Sequence, residues 1–339
     1  MASRHASGEA HEFCRRVLPR VSRTFTLNIE SLDGRLRDVV RSAYLLCRAA
    51  DALEDSWPGS SSEVIGRFER FLHALAGDAS AADALAADAA RQPGARDDLA
   101  LVAHLPLVLA ELASRPADEA AIVRTGLRTM AEGMSRYAAR AAARPEGACY
   151  LDDDGELADY CWVVAGCVGV MLTGLFERRL DPDHDRARAR RHELAPLVGE
   201  ALQLTNIVLD LPGDVRRGRC YVPASWLAAA GLEPRDLATG RWPEARALVE
   251  RLETRAHAAL DRVADYLDTI PARHVRYRLF CLLPALWARA SLRLVRADPR
   301  FPAGGRRPKL SRQALWTTAA RSLLVARSHR GVRRLLASG

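Results

Sequence analysis

The chain has 339 residues, with 50 Lys and Arg against 42 Asp and Glu, a formal net charge of +8, and 49% hydrophobic residues. That balance excludes a disordered chain, which lacks the apolar residues needed to offset the entropy of ordering. Lys309 is the only lysine, so the basic excess is arginine. It admits an anionic partner, a phosphate-bearing substrate or a membrane surface, without by itself marking a nucleic-acid binder.

Met1 to Glu12 carries His, Glu and Arg with no apolar stretch of the kind a secretory leader needs, and a loose N-terminus is expected there. Helix-period patterning then dominates. Leu36, Val39, Val40, Ala43, Leu46, Cys47 and Ala50 recur at steps of three and four, one face of a long helix. Similar stripes occupy 64–76, 98–113, 119–141, 157–178, 188–211, 242–268, 275–295 and 312–336. Turn-rich breaks fall at Trp57-Pro58-Gly59, Arg91 to Gly94, Arg144 to Gly147, Asp181 to Asp183 and Pro302 to Pro308. The uncharged run between Asp159 and Glu177 falls short of the roughly 20 residues of a bilayer span and reads as a buried helix. No stretch alternates with period two for long enough to make a sheet. These patterns imply one all-α domain over 1–339, with about ten to twelve helices.

Seven cysteines without a Cys-x-x-Cys pair fit reduced, buried thiols in a cytoplasmic protein better than a disulfide framework or a zinc site. The nine histidines form no His-x-x-x-His pair and carry no metal role in this reading.

Two acidic clusters stand inside strongly apolar helices: Arg48-Ala-Ala-Asp51-Ala-Leu-Glu54-Asp55 and Asn206-Ile-Val-Leu-Asp210-Leu-Pro-Gly-Asp214. Asp-x-x-x-Asp places both carboxylates of a pair on one helix face, a turn apart, where they repel. On an inward face they also cost desolvation unless a cation lies between them. Mg²⁺, held by one or two carboxylates together with substrate phosphates, satisfies that demand. Guanidinium groups suit phosphate oxygens: Arg23 lies ahead of the first cluster, and Arg216, Arg217 and Arg219 follow the second. Ser22 adds a hydroxyl where a helix begins.

The stretch from Ser22 to Asp55 resembles the N-terminal motif region of the squalene/phytoene synthase family. Tyr160-Cys-Trp-Val-Val-Ala-Gly-Cys-Val-Gly169 is similar to a signature of that family, Gln203 to Pro223 to its second aspartate motif, and Arg278 to Pro284 with Ser291-Leu292 to a late family helix. The matches keep family order from about residue 22 to 292. The resemblance implies a single-domain isoprenoid-synthase helical bundle with a central apolar cavity. It also implies head-to-head condensation of two prenyl diphosphates through a cyclopropyl diphosphate. Asp51, Asp55, Asp210 and Asp214 would hold Mg²⁺; Arg48 and Tyr160 would act at the reaction centre. Ser22, Arg23, Phe25, Asn206, Arg216, Arg219, Gly166 and Phe280 would bind substrate. NADPH is needed for squalene and not for a phytoene-type product.

Glu54 before Asp55 favours the squalene branch and farnesyl diphosphate; a phytoene-type synthase using geranylgeranyl diphosphate, or transfer to another acceptor, is the alternative. The chain departs from the family pattern at Leu209 and Gly213, where Arg and Glu are usual, and Pro212 is expected to kink the helix and displace Asp214. Residues 310–339 read as a basic amphipathic helix suited to peripheral contact with the inner face of a membrane. A nucleic-acid binder would leave the paired carboxylates unexplained. A monomer is expected.

Overall fold

Alanine, leucine and arginine, the best helix formers, dominate this chain, and their spacing decides where each helix turns its apolar face. The computed structural model describes residues 2–93, 97–180, 185–239, 242–303 and 307–338. The expected break at Asp181 to Asp183, Gly94 of the break at Arg91 to Gly94, and 304–306 of the break at Pro302 to Pro308 lie outside the described residues. The chain forms two compact units, one of residues 1–142 and 174–179, the other of 143–173 and 180–339.

The first unit contains α1 (Ala2–Val21), α2 (Arg23–Glu30), α3 (Gly34–Asp55), α4 (Ser61–Leu75), α5 (Ala79–Ala90), α6 (Asp97–Val102), α7 (Leu105–Ala113) and α8 (Ala117–Ala142). The α3 stripe is buried as its spacing requires, except that Cys47 is half-buried. Ser60 and Glu63 start α4 as a reciprocal capping box. Buried Arg67 donates to the carbonyls of Leu53, Trp57 and Pro58 at 3.0, 2.7 and 2.8 Å, which secures the Trp57-Pro58-Gly59 break. Two expectations change here. The N-terminus expected to be loose is helical from Ala2; Ala10 is buried and His11 pairs with buried Glu111 at 2.9 Å. The stripe at 98–113 divides into α6 and α7, because Pro106 suits the first turn of a new helix.

The second unit contains α9 (Asp154–Cys161), a π-helical turn (Trp162–Gly166), most of α10 (Cys167–Glu177), α11 (Asp185–Arg216), α12 (Ala224–Ala230), α13 (Asp236–Thr239), α14 (Trp242–Asp268), α15 (Val275–Ala297), α16 (Arg312–Val325) and α17 (His329–Ser338). The long α11 packs along α14. Asp154 ties three helices together, accepting from Trp226 Nε1 at 2.9 Å and pairing with Arg251 and Arg255 at 3.0 and 2.6 Å. Fully buried Arg278 donates to the carbonyls of Leu267, Ile270 and Ala326, acceptors at and just beyond the ends of α14 and α16. Pro212 does not end α11, which continues to Arg216. The stripe at 312–336 is two helices. Val332, Leu335 and Leu336 of α17 are buried, and its Arg333 pairs with Asp265 and Asp268 of α14.

Among the described residues there is no strand, only an isolated bridge, and the fold is all-α as expected. The seventeen α-helices among the described residues exceed the expected number, because elements as short as α6, α12 and α13 carry too few turns to show a period. Two helical stretches, Asp154–Glu177 and Asp185–Arg216, are long and apolar enough to cross a membrane. These are the two found among the described residues, and 44% and 56% of their apolar windows are buried within the structure.

Glycine sets the approach of the π-turn and α10 to α11. A Cβ at Gly199 would collide with the Ala165 carbonyl oxygen, and one at Gly169 with that of Ala195. Both obstacles are backbone and cannot rotate away. Gly199→Ala is therefore expected to cost about 2–3 kcal/mol through overpacking. Urea denaturation followed by circular dichroism checks this, and an unchanged midpoint contradicts the close approach.

Candidate active site

Each acidic motif lies in a different unit, and each has gathered arginine. In the first unit Ser22 caps α2, its Oγ accepting from the Phe25 amide at 3.2 Å. The Phe25 ring stacks on Tyr44 at 5.2 Å, and the Tyr44 hydroxyl hydrogen-bonds Ser22. Burial pushes Tyr44 up to about 12. One and two turns further along α3, on the same face, come Arg48 and Asp51. Arg48 donates to Asp51 at 3.2 Å and to Asp98 at 2.9 Å, and Ser56 completes the set by donating to Asp98 at 3.3 Å. Asp55 is exposed at the end of α3, and Arg23 is exposed at the start of α2.

Burial pushes the Asp51 carboxyl up to about 6; Arg48 pulls it down, while Asp55 and Asp98 push it up further. Arg48 shows the opposite balance. Its burial disfavours charge, but Asp51 and Asp98 outweigh that and raise it above the ordinary arginine value. The cluster thus holds more negative charge than its one arginine offsets, in a recessed position.

In the second unit Asp210 of α11 receives both oxygens' worth of Arg307, at 2.5 and 2.6 Å. Buried Asp214 accepts from Arg217 at 2.5 Å, and its backbone carbonyl accepts from the Arg219 amide at 2.8 Å. The retained burial of Asp214 shows that Pro212 does not expel it. Leu209, where the family pattern has arginine, is buried, and Arg307 supplies the guanidinium from a distant part of the chain. Tyr160 of α9, immediately before the π-turn, stacks on Tyr221 at 4.9 Å, and Tyr221 meets Tyr150 at 5.0 Å. A π-turn at this point is a local departure of the kind found at functional sites.

Of the sequence-derived candidates, Ser22, Phe25, Arg48 and Asp51 come together in the first unit. Asp210, Asp214 and the backbone of Arg219 share the end of α11 and the turn after it, and Tyr160 sits in the aromatic trio. Asn206 and Arg216 are exposed and Phe280 is buried in α15. Gly166 faces Pro196 and the Trp162 ring, where a Cβ would lie 2.9 Å from Trp162 Cε3, so its missing side chain serves helix packing. Sequence reasoning missed Tyr44, Asp98, Arg307, Tyr150 and Tyr221. Tyr44 was legible, four residues before Arg48 on the same helix face; the others are joined to the site only by tertiary contact. An open groove of about 650 Å³ in the first unit, lined by Asp33, Arg35, Asp118, Glu119 and Glu177 among others, contains none of these residues.

The donor set fits Mg²⁺ in chemistry: all four candidate ligands are hard carboxylate oxygens, and Asp51 carries uncompensated charge. Among the described residues no group of three or more metal-binding side chains is preassembled, so a cation here would need oxygens from a ligand. In the metal-free protein the raised Asp51 carboxyl favours folding when protonated. That contribution is complete below its ordinary 3.8 and is lost as pH rises through about 6. Between pH 4 and 7 the wild type is expected to lose about 2 kcal/mol relative to Asp51→Asn, measured by urea denaturation with chelator present. A stability difference constant with pH contradicts the assignment.

The family model for squalene/phytoene synthase matches residues 18–314. Phytoene synthase 2 of Oryza sativa subsp. japonica is 28% identical over 240 residues, covering 69% of this chain and 50% of the relative. The chain thus spans about half the length of such curated relatives. The phytoene synthase of Thermus thermophilus is 40% identical over 113 residues, 33% of this chain and 36% of its own. Among solved structures, a ligand complex of TcSQS superposes with a TM-score of 0.78 at 22% identity, covering 97% of this chain and 90% of that one. Squalene synthase HpnC from Alicyclobacillus acidocaldarius superposes at 0.57 and 21% identity, covering 88% and 99%. At these identities the structural likeness speaks for the fold. With the family model matched over most of its length, the chain belongs to the squalene/phytoene synthase family, whose members are prenyltransferases.

Proposed function

We propose that this chain condenses two molecules of farnesyl diphosphate head to head, in a Mg²⁺-dependent reaction, to squalene or a squalene precursor. The observation that carries the reading is the pair of Asp-x-x-x-Asp motifs, one per unit, each following an apolar run of its helix and each already attended by arginine. Two diphosphates need two such anchors.

When bound, Mg²⁺ supplies positive charge that stabilises the departing diphosphate. Asp51 and Asp55, and Asp210 and Asp214, are the residues to hold it. Arg48 orients Asp51, and the guanidinium groups of Arg23, Arg216 and Arg219 suit diphosphate oxygens. Diphosphate departure leaves an allylic cation, and the electron-rich faces of Tyr160, Tyr221 and Tyr150 suit it. The second chain attacks through its double bond, and loss of a proton closes the ring to a cyclopropyl diphosphate, which then loses its diphosphate and rearranges. Hydride addition then gives squalene, and proton loss gives a phytoene-type triene, with the Tyr160 hydroxyl as the candidate proton carrier. No residue is assigned to NADPH. The curated relatives favour a second reading, a phytoene-type synthase acting on geranylgeranyl diphosphate.

Purified protein incubated with farnesyl diphosphate and Mg²⁺, with and without NADPH, is expected to give squalene only with the reductant, read by mass spectrometry. Product from geranylgeranyl diphosphate alone would favour the second reading. Asp51→Ala and Asp210→Ala are each expected to lower turnover by about a thousandfold, about 4 kcal/mol, with circular dichroism unchanged. Wild-type turnover in either variant would overturn the role given to these carboxylates.

A cytoplasmic enzyme releasing a water-insoluble product gains from membrane contact, and α16 rather than α17 offers the surface. Trp316, Leu323 and Leu324 are 62%, 61% and 86% exposed on one face, beside Arg312, Arg321 and Arg327. No acidic residue follows Asp298. Such a face suits an anionic bilayer. The protein is expected to sediment with phosphatidylcholine vesicles containing phosphatidylglycerol, and Trp316→Ser/Leu324→Ser to reduce binding about tenfold. Equal sedimentation of both proteins removes α16 from this role.

A further inference from the structure

Cys149 and Cys220 are far apart in sequence and adjacent in the fold. They form an isolated parallel bridge, with the Tyr150 amide donating to the Cys220 carbonyl at 2.8 Å. The alignment continues as the Ala224 amide donates to Leu151 at 2.9 Å and the Ser225 amide to Asp152 at 3.0 Å. Both segments are held in place: Arg144 donates to the Cys149 carbonyl at 2.6 Å, and Gly218 turns the chain toward Cys220 with φ +73°. Backbones paired in this way lie about 4.8 Å apart, within the roughly 4.4–6.8 Å Cα separation that a disulfide accepts. The Cys220 thiol donates to the Val222 carbonyl at 3.8 Å, and each thiol shifts the titration of the other.

Their chemistry is unequal. The Cys220 thiol, and after it the nearby Arg144 charge, hold the Cys149 thiol below its ordinary value despite burial. Cys220 is pushed well up, by the Cys149 thiol and by burial. Cys149 keeps 7% of its surface open and Cys220 only 1%. One sulfur is thus prepared to attack and the other to resolve. Elsewhere burial is the main cause driving thiols toward inertness, with Cys14, Cys167 and Cys281 each pushed up to about 12.

We infer that Cys149 and Cys220 form a redox modification site, closed to a disulfide by an oxidant of the peroxide class and reopened by thiol reductants. The Cys149 thiolate attacks one peroxide oxygen; the O–O bond breaks, hydroxide leaves and Cys149 becomes a sulfenic acid. The Cys220 sulfur then attacks the Cys149 sulfur. The S–O bond breaks, water leaves with the Cys220 proton, and the S–S bond forms. The two thiols are oxidised by two electrons, and one peroxide is reduced to two waters.

The next residues along each segment are Tyr150 and Tyr221, which contact each other and, through Tyr221, Tyr160. If the prenyl-synthase reading holds, closing the bond reaches the aromatic trio, and product formation is expected to change several-fold on oxidation. The covalent test does not depend on that reading. The full chain is treated with hydrogen peroxide, its remaining thiols are alkylated, and intact mass and peptide maps are recorded. The expected result is a loss of about 2 Da before alkylation, a peptide linking the segments around 149 and 220, and reversal by dithiothreitol. The link should be absent from Cys149→Ser and from Cys220→Ser. Seven alkylatable thiols after peroxide, stable sulfinic acid at Cys149 without a link, or a link to any other cysteine would overturn the inference. A link without a change in product formation would leave the pair intact as a modification site and sever it from the aromatic trio.

Discussion

A carboxylate placed on the inner edge of a helix must find a cation, because desolvation costs more than a lone charge can recover. This chain meets that demand with arginine throughout. Arg48 answers Asp51 and Asp98, Arg307 answers Asp210, Arg217 answers Asp214, and Arg251 and Arg255 answer Asp154. The guanidinium group reaches two acceptors at once, which lets one residue fix two elements. Arg278 and Arg67 extend the same device to backbone carbonyls left open where helices end.

The candidate site is the place where this matching is incomplete. Arg48 is shared between Asp51 and Asp98 while Asp55 adds a third negative charge, and the Asp51 carboxyl rises to about 6 as a result. In the second unit the matching is complete but reversible. The Arg307 pair with Asp210 is partly exposed, so its net stabilisation is on the order of 1 kcal/mol or less. Leu209 is buried beside Asp210, and the guanidinium that meets Asp210 is that of Arg307.

Aromatic and thiol groups lie beside each other in the second unit for one geometric reason. The chain entering α9 runs parallel to the chain leaving the turn after α11, so residues 149–152 align with 220–225. That alignment pairs Cys149 with Cys220 and brings Tyr150 and Tyr221 together next to Tyr160. Neither pairing has a sequence signature, since parallel neighbours of this kind leave no local period.

The sequence by itself determined the helices with strong three- and four-residue stripes, α3, α4, α8, α11, α14 and α15, because burial of one face sets that period. It also determined the acidic pairs at Asp51/Asp55 and Asp210/Asp214, because i,i+4 spacing is a property of a single helix. Tyr44 belonged to the same legible class. Tertiary structure decided what joins distant segments: Asp98 to Arg48, Arg307 to Asp210, Tyr150 and Tyr221 to Tyr160, Cys149 to Cys220. It decided too that α17 buries the apolar face its sequence advertises while α16 leaves Trp316 and Leu324 outside. An amphipathic period shows that a helix has an apolar face; only the positions of the other helices show whether anything covers it.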